Sequence, residues 1–141
     1  MNSKEKHYVF VYGTLMSNYN NHHLLHRSKL IGRGVTLNYM TMYASVIPFV
    51  VDCEEEEMGY EIHGEVYEVD SYTMSQLDRL EGHPEWYKRR EERIILNDYD
   101  GVHMDAWIYM MPELDRQTNR LPDGDYRNYI QDYYYDNGSI F

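Results

Sequence analysis

Residues 60–84, YEIHGEVYEVDSYTMSQLDRLEGHP, hold a strand-to-helix passage whose two ends are both marked, and the rest of the chain can be read outward from it. Over 60–69, β-branched and aromatic residues gather in a run of strand length. Asp70-Ser71 then supplies N-cap chemistry, since a short oxygen-bearing side chain accepts from the free amides of a first helical turn. Met74, Leu77 and Leu80 recur at helical spacing, and Gly82 followed by Pro84 ends the helix. One well-marked helix is therefore expected between extended segments.

Upstream, 7–12 is a short aromatic and β-branched run that stops at Gly13, a strand closing on a tight turn. Residues 20–27 suit a short helix, 29–43 are extended with Gly32 and Gly34 permitting bends or bulges, and 46–51 form another apolar segment. The acidic run 54–57 ahead of Gly59 reads as a solvated loop. Downstream, 87–96 and 102–110 are extended and joined across Asp98-Tyr99-Asp100-Gly101, a hairpin signal that predicts antiparallel pairing. Past Pro112 the chain is irregular until Gly124-Asp125, where Tyr126, Tyr129, Ile130 and Tyr133 fit one side of a terminal helix. Strands outnumber helices and lie in adjacent runs, so the fold class expected is α+β, a mixed, curled sheet flanked by few helices. A length of 141 residues suits a single domain over 1–141.

Composition narrows the function. Sixteen tyrosines against three phenylalanines and two tryptophans predict a core with wet edges and polar cavities, because a buried phenol needs a partner for its hydroxyl. A formal charge of −11 opposes phosphate backbones and anionic lipid, so no nucleic-acid or membrane partner is expected. The N-terminal residues offer no apolar signal core, which predicts a cytoplasmic protein. Cys53 is the sole cysteine and reads as a small residue beside a strand end. His22 and His26 have the spacing of paired metal ligands without an intervening glutamate of the metalloprotease pattern, and with His23 they read as a polar surface cluster. Ser17, Ser28 and Ser45 lack the flanking glycines of a nucleophile elbow. The run Tyr133-Tyr134-Tyr135 divides between core and surface.

Glu81 stands out because its place is unfavourable for an anion. It follows Leu77 by four residues and Met74 by seven, near the buried stripe, and it occupies the last turn, where the helix dipole disfavours negative charge. A carboxyl group so placed holds its proton more tightly than in water, which is the profile of a general base. The bland alternative is a solvated side chain at a fraying end, paired with Arg79 or Lys88. In Tyr12-Gly13-Thr14-Leu15, a glycine at a strand end lets backbone N–H groups converge on a carboxylate or an oxyanion, although a plain turn has the same sequence.

Several motifs occur in a telling order: Val9-Phe10-Val11-Tyr12-Gly13-Thr14-Leu15, then Gly64-Glu65-Val66-Tyr67, then Leu77-Asp78-Arg79-Leu80-Glu81-Gly82 with Tyr87 beyond it, and finally Gly124-Asp125-Tyr126-Arg127. In these the chain resembles the γ-glutamylcyclotransferase-like family along most of its length, in the short branch of γ-glutamylamine cyclotransferases and AIG2-like proteins. The resemblance implies a small mixed β-barrel with peripheral helices and a cavity at the barrel mouth. It implies that Tyr12, Gly13, Thr14 and Leu15 bind a γ-glutamyl group through backbone amides and that Glu81 is the catalytic acid/base. Tyr87 would orient the substrate, and Tyr126 stands where the family often has tryptophan. The implied reaction closes the substrate's α-amino group onto its γ-carbonyl, giving 5-oxoproline and a free amine. Being intramolecular, it calls for no metal or cofactor. The competing readings are a non-catalytic module that binds a small amino-acid-like ligand, and an interaction protein with an acidic, tyrosine-rich surface. The sequence leaves the oligomeric state open.

Overall fold

A computed structural model describes residues 5–17, 19, 21–44, 48–52, 59–111 and 119–130. Among the described residues, eight strands and the helix α1 follow in the order β1 (Lys6–Val11), β2 (Lys29–Thr36), β3 (Met40–Ala44), β4 (Pro48–Asp52), β5 (His63–Asp70), α1 (Ser71–Glu81), β6 (Lys88–Leu96), β7 (Val102–Met110) and β8 (Asn119–Arg120), and 126–130 are helical beyond them. Asn20, Ser45, Cys53, the acidic run 54–57 and Tyr133-Tyr134-Tyr135 lie outside the described residues.

Five strands close into a barrel in the order β1-β5-β2-β6-β7. Its pairs are antiparallel except the closing one, where β1 meets β7 in parallel at Val9 and Trp107. The barrel is thus mixed, as expected. The register of β2 against β5 shifts between Leu30 and Gly32, a bulge at one of the two glycines that permitted it. The hairpin of β6 and β7 turns through Asp100 (φ 53°) and Gly101 (φ 77°), both left-handed. A second sheet, β4-β3-β8, lies beside the barrel, and Tyr60 joins its parts: its hydroxyl donates to the Leu121 carbonyl at 2.8 Å and accepts from the Met42 amide at 3.0 Å. Phe10, Val66, Ile94 and Ile108 fill the core and are essentially inaccessible to water.

The structure departs from the sequence expectations in four places. The run 29–43 breaks at 37–39 into β2 and β3, which belong to different sheets. The short helix near residue 22 is a single 3-10 turn, His22–Leu25. A two-residue strand, β8, pairs with β3 in a stretch expected to be irregular, using backbone bonds that need no apolar pattern. Leu80, expected on the buried stripe of α1, is 44% exposed, whereas Met74 and Leu77 are buried. The burial direction points between Leu77 and Glu81, leaving Leu80 to one side. Residues 126–130 are helical, with Tyr126 buried.

α1 packs against β5, β1 and the 3-10 turn. Asp70 caps its start, accepting from the Thr73 amide at 2.7 Å. Leu77→Ala is expected to cost about 3 kcal/mol, since it leaves a void in a closed site, and Leu80→Ala less than about 0.5 kcal/mol. Urea denaturation of the two variants checks the difference.

Candidate active site

Glu81 is the last residue of α1, and the helix stops there for a local reason. Gly82 adopts a left-handed conformation (φ 66°) that a side chain would strain, its N–H returns to the Arg79 carbonyl at 3.2 Å, and His83 N–H reaches the Asp78 carbonyl at 2.9 Å. The helix end is therefore tied down rather than frayed. The outgoing chain then folds back, so that the Tyr87 amide donates to the Glu81 carbonyl at 3.2 Å.

The carboxyl group of Glu81 lines a cavity with Phe10, Val11, Tyr12, Gly13, Thr14, Leu15, Pro48, Tyr87 and Tyr109. Its volume is about 40 Å³, above the ~10–15 Å³ that one water needs. Thr14, Glu81 and Tyr87 also border a wider depression of about 420 Å³, so the cavity has an outer vestibule. Burial alone pushes the Glu81 carboxyl up from 4.5 to about 7. Of the two penalties expected for the anion, desolvation is the one the structure carries. Neither Arg79 nor Lys88 forms an ion pair with it among the described residues.

Gly13 meets the floor of the second sheet: a Cβ on it would lie 2.6 Å from Pro48 Cγ, so only glycine lets the turn sit that close. The Met16 amide closes the turn onto the Gly13 carbonyl at 3.0 Å, and Asn21 bonds Thr14 twice, through its amide and its side chain, both at 2.9 Å. No hydrogen bond among the described residues takes the amides of Gly13, Thr14 or Leu15.

Three phenols complete the wall. Tyr12 donates to the Tyr109 carbonyl at 2.7 Å, Tyr87 to the Pro48 carbonyl at 3.3 Å, and Tyr109 to Asp78 Oδ1 at 2.6 Å. Burial raises all three, with the Glu81 charge adding to the rise at each, so they stay neutral. Asp78 in turn accepts from Arg89 Nε at 2.8 Å, and that guanidinium lies 4.4 Å over the Trp107 ring. Tyr109 and Pro48 were not foreseen, since each sits in a strand with no motif around it; the excess of tyrosine was the only sign.

Glu65, quoted above only as part of a motif, fastens the far end of the loop. It is 4% exposed and accepts from the Ser17 amide (2.8 Å), the Ser17 hydroxyl (2.7 Å) and Tyr67 (3.1 Å), with Arg127 at 3.4 Å. His22 bonds the Leu15 carbonyl through Nδ1 at 3.0 Å and lies against Tyr67, so it supports the same loop, while His26 turns to the His23 carbonyl. Among the described residues no cluster of three or more His, Cys, Asp or Glu is arranged to hold a metal ion. Tyr126 lies outside the cavity lining: it is buried with its ring 5.7 Å from Tyr19 and 6.2 Å from Tyr129. The structure thus brings together Tyr12, Gly13, Thr14, Leu15, Glu81 and Tyr87, and sets Tyr126 apart from them.

The family model described as "Gamma-glutamyl cyclotransferase, AIG2-like" matches residues 9–128, a span that includes the whole cavity lining. The chain belongs to that family. A protein of Methanocaldococcus jannaschii provisionally named gamma-glutamylcyclotransferase is 44% identical over 123 residues, which cover 86% of this chain and 97% of that one. Bovine gamma-glutamylaminecyclotransferase is 31% identical over 133 residues, covering 89% of this chain and 74% of its own. The crystal structure of a mouse AIG2-like protein superposes with a TM-score of 0.70 at 25% identity, over 80% of this chain and 82% of that one. Barrel and family agree with the resemblance read from the motifs. No helix among the described residues of this γ-glutamylcyclotransferase-like chain is long and apolar enough to cross a membrane.

A raised carboxyl pKa sets a pH dependence of stability. The folded chain holds the Glu81 proton up to about 7 and the unfolded chain releases it near 4.5, so this group makes stability fall as pH rises through that window. Glu81→Gln cannot ionise, and it is expected to gain on the order of 2 to 3 kcal/mol relative to wild type between pH 4 and pH 8. Thermal melts of both proteins at the two pH values check the sign.

Proposed function

We propose that the protein is a γ-glutamylcyclotransferase that converts a γ-glutamyl amine or peptide to 5-oxoproline and the free amine, with Glu81 as general acid and base. The observation that carries this reading is the sharing of one small cavity by a carboxyl group of pKa about 7 and the unengaged amides of the Gly13 turn. A group half ionised at neutral pH can take a proton and give it back, which is what a two-step acyl transfer asks of a single residue.

The chemistry follows from the substrate. Its α-amino nitrogen loses a proton to Glu81 and attacks the γ-carbonyl carbon, forming the fifth bond of the ring. The carbonyl π electrons move to oxygen, and the amides of 13–15 can stabilise either that oxyanion or the substrate's α-carboxylate. As the oxyanion collapses, the bond from carbon to the amide nitrogen breaks, and that nitrogen takes the proton from Glu81. No water is consumed, so the walls of Tyr12, Tyr87 and Tyr109 serve by bending the substrate and excluding solvent. The partner in this reading is a small γ-glutamyl molecule in the cytosol, with neither nucleic acid nor membrane involved.

Incubating the protein with γ-glutamyl compounds and measuring 5-oxoproline tests the proposal. Wild type is expected to turn over with kcat/KM falling as pH drops below about 7, and Glu81→Gln to lose about 10²- to 10⁴-fold in kcat. Turnover by Glu81→Gln equal to wild type would remove Glu81 from the mechanism.

A further inference from the structure

A γ-glutamyl substrate has two halves, and in the cyclisation reading the half that cyclises lies against Glu81 and the Gly13 turn. The space that adjoins this cavity, and so is open to whatever is bonded to the γ-carbonyl, is the depression that shares Thr14, Glu81 and Tyr87 with it. The remaining walls of that depression are Asn21, Arg79, Leu80, Gly82 and Trp86. They are specific in character.

Trp86 is 72% exposed and Leu80 44%, so two large apolar surfaces stand in water at the mouth of the site. The backbone of Trp86 is tied to the helix end, and its ring lies over Gly82. Its amide donates to the Gly82 carbonyl at 2.8 Å, and a Cβ on Gly82 would come within 3.1 Å of Trp86 Cβ and 3.2 Å of the indole ring. Arg79 is exposed, and among the described residues no carboxylate pairs with it. Among the described residues it is the sole cation lining the depression. On a chain of formal charge −11, an anionic group approaches only where a local cation offsets the general repulsion.

We infer that the released half of the substrate is an α-amino acid with a large apolar side chain, its carboxylate on Arg79 and its side chain on Trp86 and Leu80. This narrows the substrate to γ-glutamyl amino acids over γ-glutamylamines, and it rests on the cyclisation reading above. The reaction balance is unchanged: the released amino acid leaves with the proton that Glu81 returns to its nitrogen. Arg79 and Trp86 act on binding and specificity, not on the bond rearrangement.

Three matched probes separate the elements: γ-glutamyl-phenylalanine, γ-glutamyl-phenethylamine, which lacks only the carboxylate, and γ-glutamyl-glycine, which lacks only the aromatic side chain. Each is measured for 5-oxoproline release by wild type, Arg79→Ala, Arg79→Lys and Trp86→Ala, and for calorimetric binding to Glu81→Gln with and without Arg79→Ala. Wild type is expected to favour the phenylalanine compound over the phenethylamine compound about fivefold in kcat/KM, the size of one partly exposed ion pair, with the preference lost in Arg79→Ala and kept in Arg79→Lys. It should favour the phenylalanine over the glycine compound about tenfold, and Trp86→Ala should erase that difference. Equal turnover of all three probes, or preferences that survive both alanine substitutions, would overturn the subsite and leave cyclisation standing. Arg79-dependent binding without 5-oxoproline from any probe would overturn cyclisation and uphold the subsite. Absence of both binding and turnover would overturn the two together.

Discussion

A carboxyl group withdrawn from water at the end of a helix stays there only if the chain on both sides of it is fixed. In this protein the fixing is done by Leu77 and Met74 in the core, by the left-handed Gly82 that ends α1 one residue later, and by the return of Tyr87 to the Glu81 carbonyl. The desolvation that raises the Glu81 pKa comes from its burial beside this packing. The facing wall is equally constrained. Gly13 lies against Pro48 with no room for a Cβ, and the loop is fastened beyond it by the buried Glu65 through Ser17. The cavity, and the acid/base and binding roles proposed for its lining, depend on these two edges approaching each other across the barrel mouth.

Closure of the barrel is what brings them together. β1 carries the Gly13 loop, and its neighbours on the two sides are β5, which leads into α1, and β7, which supplies Tyr109. A barrel has no free edge on which these strands could slip, so the relative positions of loop, helix end and phenols are set by register rather than by flexible linkers. The bond from Tyr109 to Asp78 ties β7 to α1, and Arg89 extends that tie to β6 and Trp107.

What the sequence revealed and concealed follows from the range of each interaction. The caps of α1, the Asp100-Gly101 hairpin and the bulge near Gly32 are local, and each was legible from a few residues. The parallel meeting of Val9 with Trp107 has no local signature, and neither does the two-residue β8, so closure came from family resemblance rather than from pattern. The raised proton affinity of Glu81 was legible because its position near the buried stripe conflicts with an anion, and the structure places it in the cavity lining. Leu80 was misjudged because it and Glu81 flank Leu77 on opposite sides of the helical wheel, and its spacing from Leu77 alone does not say which flank turns into the core. Glu65, Tyr109 and Pro48 act through partners distant in the chain. Tyr126 was legible as a motif position only, and it packs with Tyr19 and Tyr129 apart from the cavity.

The account stands on the proton affinity of one side chain. A carbon-detected NMR titration of protein labelled at the glutamate side-chain carboxyl, with the Glu81 resonance assigned by its loss in Glu81→Gln, measures it directly. A midpoint near 7 is the predicted result; a midpoint near 4.5, the value of a solvated glutamate, would contradict the buried acid/base on which the active site is built.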